Sequence, residues 1–356
     1  MRRAATVVLA AALLVSACSG DDDTDTAAAD TTASSETTTT TAVGPAEVDP
    51  ASVPADPSPG CGDAATPPPG ESELVIASGD IDGSYAQYVP SAHDGDTPVP
   101  LVLDLHGLVE GRGIHALHSG LGAFGDREGF VTITPDAQRE PAQWALQDNG
   151  DVTFVNDLLD QVESDLCIDR NRVFSTGLSM GGLMTTVLAC ELSDRIAAAA
   201  PVSGIGVPDS CDRQRPVPAV IFHGTEDPIL AYDGGLGPGS AGLPAPGESG
   251  GTLGDLDEDA ADTALSFLPG AEPSAAAWAE ANGCPGAEPV AEAVTDDVDR
   301  LDYGCAVELY RVVGGGHTWP GSSFDIAIED IVGPVTMTVS ANEIMWAFFQ
   351  EHPLEA

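Results

Sequence analysis

The residues that decide the fold form a strand, a tight turn and a helix, and they read RVFSTGLSMGGLMTTVLACEL at positions 172–192. Residues 172–175 are predicted to be a strand, and residues 184–192 have the apolar composition of a buried helix. Between them, residues 177–181 match the pattern G-x-S-x-G. On a strand-to-helix turn, this pattern exposes the serine hydroxyl at the top of a sheet. We therefore predict that Ser179 is a nucleophile.

The same pattern occurs a second time, at residues 247–251, with Ser249 at its centre. A chain with 40 Gly produces such matches by composition, so the pattern alone is weak support for a site. No predicted strand precedes Ser249, which lies in a Gly-rich stretch. The context therefore favours Ser179 and excludes Ser249 as the nucleophile.

Apolar strand-like segments alternate with helical patterns on both sides of this turn. One helix is predicted over 151–166, with Asp151 as its N-cap, and a closing helix over 341–350. Strands separated by helices predict an α/β fold with a mostly parallel central sheet flanked by helices, whose sites lie at the carboxyl ends of its strands. The other predicted strands are 99–105, 131–134, 196–202, 217–222 and 307–313.

A serine nucleophile needs a general base, and His317 is the best-placed histidine. It follows three glycines, Gly314, Gly315 and Gly316, in a loop directly after the strand at 307–313. Such a loop can bring an imidazole to a nucleophile. The other histidines occupy strand tips, a short polar stretch, or loop and terminal positions: His106, His223, His115, His118, His93 and His352.

The base needs an acid to orient it, and Asp227 stands just beyond the buried strand at 217–222. Glu226 is the nearest rival, and Asp233 and Asp255 are more distant ones. The order of nucleophile, acid and base along the chain is then that of the α/β-hydrolases.

The third requirement of acyl transfer is a pair of backbone N–H groups that stabilise the oxyanion. One should come from the residue after the nucleophile, which is Met180. The other should come from the loop after the strand that ends in His106 and Gly107, and Leu108 is the simplest choice.

Taken together, the motifs resemble the polyhydroxybutyrate depolymerase and feruloyl esterase group, close to carbohydrate esterase family 1. The resemblance covers roughly residues 61–353 and is most specific around His317. The segments that carry it are LHG at 105–107, GLSMGG at 177–182, HGTED at 223–227 and GGHTWPG at 315–321, with ELSDRIAA at 191–198 and YDGG at 232–235.

The resemblance implies an exported esterase of α/β-hydrolase fold with Ser179, Asp227 and His317 as nucleophile, acid and base. It implies no metal and no organic cofactor, and an ester substrate of hydroxyalkanoate, feruloyl or acetyl type. Trp319 and Trp144 are candidate walls of an acyl pocket, although ordinary packing is an equal alternative for both rings. His106, at the strand tip, is a further candidate pocket residue.

The two ends of the chain differ from the catalytic region. Residues 1–17 have the charged start, apolar run and small residues of a secretory signal. The end of this signal resembles a lipobox, which predicts acylation of Cys18; ordinary cleavage nearby is the alternative. Residues 18–60 are predicted to be a disordered acidic linker, and residues 61–356 the esterase domain. Within that domain, 233–270 is a Gly-rich acidic insertion, either a solvated loop or a flap over the site.

Six cysteines remain after Cys18, an even number that allows up to three disulfides in an exported chain. Cys284 and Cys305 flank one acidic loop, so we predict that they pair. The other four could pair or remain buried thiols: Cys61, Cys167, Cys190 and Cys211.

The charge balance excludes whole classes of partner. Against 57 Asp and Glu stand 12 cationic residues, all of them Arg, for a net charge of −45. Such a charge excludes nucleic acid as a partner and leaves the lipid at Cys18 as the only predicted membrane contact. Two rival functions remain, a serine peptidase of the same fold and a surface-anchored binding module without catalysis.

Overall fold

The computed structural model describes residues 49–62, 67–79, 81–139, 142–146, 150–206, 213–245, 251–255 and 268–354. The predicted signal, Cys18, Cys211 and Ser249 lie outside these ranges. Within them, no helix is both long enough and apolar enough to span a lipid bilayer.

The described strands form one sheet of ten, in the order β1-β2-β4-β3-β5-β6-β7-β10-β9-β8. The strands are β1 (Gly70–Ser78), β2 (Ile81–Val89), β3 (Val99–Leu105), β4 (Val131–Pro135), β5 (Ile168–Leu178), β6 (Ala198–Val202), β7 (Ala219–Gly224), β8 (Val290–Ala293), β9 (Val298–Gly304) and β10 (Val307–Val312). The central strands, from β4 to β10 in this order, are parallel, and antiparallel strands flank them on both sides. The predicted α/β-hydrolase fold with a mostly parallel sheet is confirmed.

Helices cover both faces of the sheet. They are α1 (Gly111–Ser119), α2 (Leu121–Glu128), α3 (Gly150–Asp165), α4 (Met180–Glu191), α5 (Ala271–Ala281), α6 (Glu329–Val332) and α7 (Ala341–Glu351). On β5, Val173 packs in the core that contains α3, whereas Phe174 packs in the core that contains α2 and α7. The Phe174 ring stacks on Phe349 of α7 at 4.4 Å between centroids. Because such strands are buried on both faces, their sequences are nearly continuous apolar runs.

Two details differ from the sequence-based prediction. Asp151 does not cap α3, which begins one residue earlier, and its carboxylate accepts the N–H of Ala145 at 2.5 Å. The edge strands β1, β2, β8 and β9 were not predicted. The side chains of β8 are all exposed, and β1 and β9 mix buried side chains with partly or fully exposed ones, so no continuous apolar run marks these strands.

The domain begins earlier than the predicted boundary at residue 60. Residues 49–61 lie against the start of β5, where the Ser58 hydroxyl donates to Leu166 O at 2.7 Å and accepts the N–H of Ile168 at 2.9 Å. Val53 is buried, and Asp56 N–H donates to Asp169 Oδ1 at 2.9 Å. The prediction of a disordered linker as far as residue 60 is therefore wrong for its last part.

The predicted disulfide between Cys284 and Cys305 is present, and a second disulfide joins Cys61 to Cys167. Cys190 is also disulfide-bonded.

The insertion at 233–270 contacts the turn after β7, where Gly239 N–H donates to Pro228 O at 2.7 Å. Its role as a flap or as a solvated loop stays a prediction.

Candidate active site

Ser179 stands on the turn between β5 and α4, at the carboxyl end of the sheet. Its backbone has φ 59° and ψ −121°, a conformation that residues with a side chain rarely adopt. Ser179 N–H donates to Val202 O at the end of β6, at 2.9 Å, which fixes the turn against the neighbouring strand. The residue as a whole is half-buried.

The glycines of the turn are required by close contacts between backbones. A Cβ atom on Gly181 would lie 1.9 Å from Leu105 O, and one on Gly177 would lie 2.6 Å from the same oxygen. Neither position has room for any side chain. The turn is therefore pressed against the end of β3, where the predicted oxyanion loop begins.

The predicted acid and base are in direct contact. His317 Nδ1 lies 2.8 Å from Asp227 Oδ2, and both side chains are buried. Asp227 Oδ1 accepts the N–H groups of Ile229 at 2.8 Å and Leu230 at 2.9 Å. The rival acid Glu226 is exposed. Asp233 and Asp255 are likewise exposed, so Asp227 alone of the four candidates contacts the base.

Each member of this pair favours the charged form of the other. Burial by itself would lower the pKa of His317, but the charge and hydrogen bond of Asp227 outweigh it and raise the pKa. Burial would likewise raise the pKa of Asp227, yet the charge of His317 and hydrogen bonds from His223 and His317 hold it below its ordinary value. Asp227 is therefore an anion that stabilises an imidazolium on His317.

Backbone contacts join the three loops of the site. Glu226 N–H donates to Gly315 O at 2.9 Å, which ties the acid turn to the base loop. Ser203 Oγ donates to Thr318 O at 3.1 Å, next to the base, while a Cβ on Gly204 would lie 2.1 Å from Ser179 O. The end of β6 thus contacts both the nucleophile turn and the base loop.

No hydrogen bond joins Ser179 Oγ to His317 Nε2 in this structure, and neither atom bonds to another described residue. Catalytic hydrogen bonds are often long or poorly aligned before substrate binds. The predicted nucleophile and the predicted base therefore lie at one edge of the sheet without a hydrogen bond between them.

The two predicted oxyanion donors have no acceptor among the residues that the structure describes. Met180 is the first residue of α4, where N–H groups lack partners within the helix. Leu108 follows β3 and is half-buried. Neither N–H donates to any acceptor in the described part of the chain. Both groups are thus free to bind an anion, and their catalytic role stays a prediction.

The candidate pocket residues are packed inside the protein. Trp144 and Trp319 are each 1% exposed, and their indole N–H groups donate to His106 O and Asn342 Oδ1, both at 2.8 Å. His106 is fully buried and accepts Ala137 N–H on Nε2 at 2.9 Å, and burial lowers its pKa to about 4. All three rings are packed inside the protein, and their role as walls of an acyl pocket stays a prediction.

Sequence reasoning missed two groups of polar residues beside the site. His223 Nε2 lies 3.2 Å from Asp227 Oδ2 and 2.9 Å from Leu230 O, so it is a second imidazole on the acid. The other group is a buried cluster of carboxylates and imidazoles around α1. The spacing of His115 and His118, three apart on one helix with Glu110 just before it, was the signal for this cluster. In the described ranges, no group of three His, Cys, Asp or Glu side chains could hold a metal ion.

No protein-family model matches the chain. It is 35% identical over 133 residues to a bifunctional acetylxylan esterase/xylanase of Neocallimastix patriciarum, covering 37% of this chain and 20% of that protein. It is 28% identical over 242 residues to feruloyl esterase B of Piromyces equi, covering 64% of this chain and 41% of that protein. It is 32% identical over 188 residues to feruloyl esterase C of Emericella nidulans, covering 50% of this chain and 65% of that protein. The chain thus spans between about a fifth and two thirds of the length of these curated relatives.

Solved structures support the fold. The acetyl xylan esterase from Aspergillus awamori superposes with a TM-score of 0.51 at 17% identity, covering 72% of this chain and 98% of that one. At this level of identity the likeness concerns the fold alone. The chain therefore has an α/β-hydrolase fold, and its sequence is similar to those of feruloyl and acetylxylan esterases.

Proposed function

We propose that this protein is an exported serine esterase that hydrolyses carboxylic esters through a covalent acyl-enzyme. The observation that carries the proposal is the buried contact of 2.8 Å between His317 Nδ1 and Asp227 Oδ2, at the sheet edge where the Ser179 turn emerges. An imidazole held in one tautomer by a buried carboxylate is the arrangement that activates a serine hydroxyl.

In the first half of the reaction, Ser179 Oγ attacks the ester carbonyl carbon while His317 Nε2 takes the hydroxyl proton. The carbonyl oxygen becomes an oxyanion, which the N–H groups of Met180 and Leu108 stabilise. His317 then donates its proton to the alkoxy oxygen, and the alcohol leaves. The acyl group remains on Ser179 as an ester.

In the second half, His317 takes a proton from water, and the resulting hydroxide attacks the acyl-enzyme. The tetrahedral intermediate forms in the same oxyanion site, and its collapse releases the carboxylic acid. The proton on His317 returns to Ser179 Oγ. Throughout, Asp227 keeps Nδ1 protonated and stabilises the imidazolium that forms in each half.

Feruloyl and acetyl esters are the substrate classes that the names of the relatives indicate. Hydroxyalkanoate esters follow from the resemblance of the motifs. Disulfides persist in oxidising compartments, so the Cys61–Cys167 and Cys284–Cys305 pairs support export. Anchoring through an acylated Cys18 stays part of the proposal.

The nucleophile is tested by Ser179→Ala, measured with p-nitrophenyl butyrate on folded protein. We expect turnover to fall by about 10⁶-fold, as when the nucleophile of such a triad is lost. The matched control is Ser249→Ala, which removes the serine of the second G-x-S-x-G pattern and should leave turnover unchanged. Undiminished turnover in Ser179→Ala would contradict the proposal.

A substrate panel tests the ester class and the rival functions. Methyl ferulate, acetylated xylan and hydroxybutyrate oligomers should be compared with a peptide anilide, and we expect hydrolysis of at least one of the three esters to dominate. Peptide cleavage as the dominant activity would establish a peptidase instead. Failure of a fluorophosphonate to label Ser179 would favour a binding module without catalysis.

A further inference from the structure

A chain of buried and partly buried polar contacts joins the predicted oxyanion loop to the base loop. Glu110 Oε2 accepts Gly107 N–H at 2.8 Å, and Glu110 Oε1 lies 3.3 Å from His118 Nε2. His118 Nδ1 lies 2.5 Å from Asp325 Oδ1, whose other oxygen accepts Trp319 N–H at 2.5 Å. Trp319 is two residues after His317. The chain therefore begins beside Leu108 and ends beside the base.

The turn at 107–110 is held in an unfavourable backbone conformation. Val109 has φ 60°, which is a genuine outlier for a β-branched residue. Strain of this kind persists only where surrounding contacts determine the geometry. Two contacts do so here, Val109 N–H to Ala142 O at 2.8 Å and the Glu110 carboxylate on Gly107 N–H.

The absence of a side chain on Gly107 makes room for this carboxylate. A Cβ atom at position 107 would lie 3.0 Å from Glu110 Cδ and Oε2, which is tighter than ordinary van der Waals contact. The carboxylate thus folds back under the turn and spans it from Glu110 to Gly107. Leu108, whose N–H has no acceptor among the described residues, lies inside the loop that this contact closes.

Imidazoles keep the Glu110 carboxylate charged. Burial would raise the pKa of Glu110, but the nearby His115 and His118 lower it to about 2. Burial would also lower the pKa of His115, yet the Asp104 carboxylate, 2.6 Å from Nε2, and Glu110 raise it to about 10. The turn is therefore held by a charge-assisted hydrogen bond, which is about twice as strong as a neutral one.

We propose that Glu110 is a positioning residue that aims the Leu108 N–H at the oxyanion, and that the Glu110–His118–Asp325 chain fixes this donor relative to the loop of His317. The proposal rests on the esterase function proposed above. Neither Glu110 nor His118 contacts the reacting atoms in this assignment. Their effect on the reaction passes through the backbone of the two loops.

The decisive variant is Glu110→Gln, which keeps the length of the side chain and an acceptor oxygen but removes the charge. Loss of an oxyanion donor costs about 10²–10³ in turnover, so a misplaced donor should lower kcat by about 10–100-fold. The donor acts only after the carbonyl becomes tetrahedral, so KM should change by less than about twofold. The affinity for a trifluoromethyl ketone, which forms a tetrahedral adduct on Ser179, should fall by the same factor as kcat.

Glu163→Gln is the matched control, because Glu163 is likewise a largely buried, ion-paired glutamate, but it lies on α3 against Arg195 and not at the oxyanion turn. It should lower the melting temperature and leave kcat per labelled Ser179 unchanged. If Glu110→Gln behaves in the same way, with a lower melting temperature but wild-type kcat and wild-type ketone affinity, Glu110 is only structural and the proposal is overturned.

His118→Gln provides a second, independent test, because it breaks the chain and leaves Glu110 charged. We expect the kcat loss of the double variant Glu110→Gln/His118→Gln to be smaller than the product of the two single losses, since both act through one unit. Should Glu110→Gln fail to fold, an unchanged kcat in His118→Gln overturns the proposal by itself. Labelling of wild-type Ser179 by a fluorophosphonate tests the esterase function separately. If the wild-type protein is labelled and active, an unchanged kcat in the variants counts against the role of Glu110 and not against the esterase function.

Discussion

Ser179, the proposed nucleophile, has a backbone conformation that its own side chain disfavours. A non-glycine residue in such a region costs on the order of 1–3 kcal/mol, and it persists where neighbours leave no alternative. Here the neighbours are backbone atoms, Val202 O on the Ser179 N–H and Leu105 O against Gly181. The nucleophile is therefore positioned by the close approach of β3, β5 and β6, which explains why glycine stands on both sides of it.

The Asp227 carboxylate predicts a specific pH dependence. Only neutral His317 can accept a proton, and Asp227 raises the pKa of His317. The wild-type kcat/KM should therefore rise with pH through a value above the ordinary 6.5. In Asp227→Asn this charge is lost, so the rise of kcat/KM with pH, the acidic limb of the profile, should move to lower pH. At the same time kcat should fall by up to about 10⁴-fold, because the His317 tautomer protonated on Nδ1 is no longer favoured.

Glu226→Gln is the control for this measurement, because Glu226 is the adjacent carboxylate, is exposed and does not contact His317. Its pH profile should match the wild-type profile. An acidic limb in Asp227→Asn that stays in place or moves to higher pH would show that another group controls the base.

At the scale of elements, the sequence predicts the strands that are buried on both faces, but it misses the segments that polar contacts hold in place. The runs that became β3 and β7 are apolar almost throughout, so their positions could be read directly. The composition of residues 18–60, rich in Asp, Thr, Ala, Ser and Pro, predicts a disordered linker, yet residues 49–60 dock through backbone groups and the hydroxyl of Ser58. The Glu110–His118–Asp325 chain also consists of polar contacts. Its ends are 215 residues apart (325 − 110), and only the fold brings them together, so no local sequence pattern predicts it.

The disulfide between Cys61 and Cys167 should contribute more to stability than the one between Cys284 and Cys305. It joins residues 106 apart, against 21 for the other. Loop-closure entropy gives about 5 kcal/mol for the longer loop and about 3 kcal/mol for the shorter one. Denaturant unfolding of Cys61→Ala/Cys167→Ala should therefore show the greater loss of unfolding free energy, with Cys284→Ala/Cys305→Ala as the matched comparison. A greater loss in the second variant would show that loop length does not decide the contributions of the two disulfides.

At the scale of the whole molecule, the charge balance predicts that salt stabilises the fold. With 57 acids and 12 arginines, single cations serve several carboxylates: Arg300 lies 3.2 Å from Asp302 and 3.7 Å from Glu292. The remaining acids repel one another, and salt screens this repulsion because the Debye length falls from about 10 Å at 0.1 M to about 3 Å at 1 M. We expect the melting temperature to rise between dilute buffer and 1 M NaCl, by roughly 4–8 °C if the gain is about 2 kcal/mol. NaCl is preferred to sulfate, which also strengthens apolar burial. A melting temperature that stays constant or falls would mean that the acidic residues lie too far apart to destabilise the folded state.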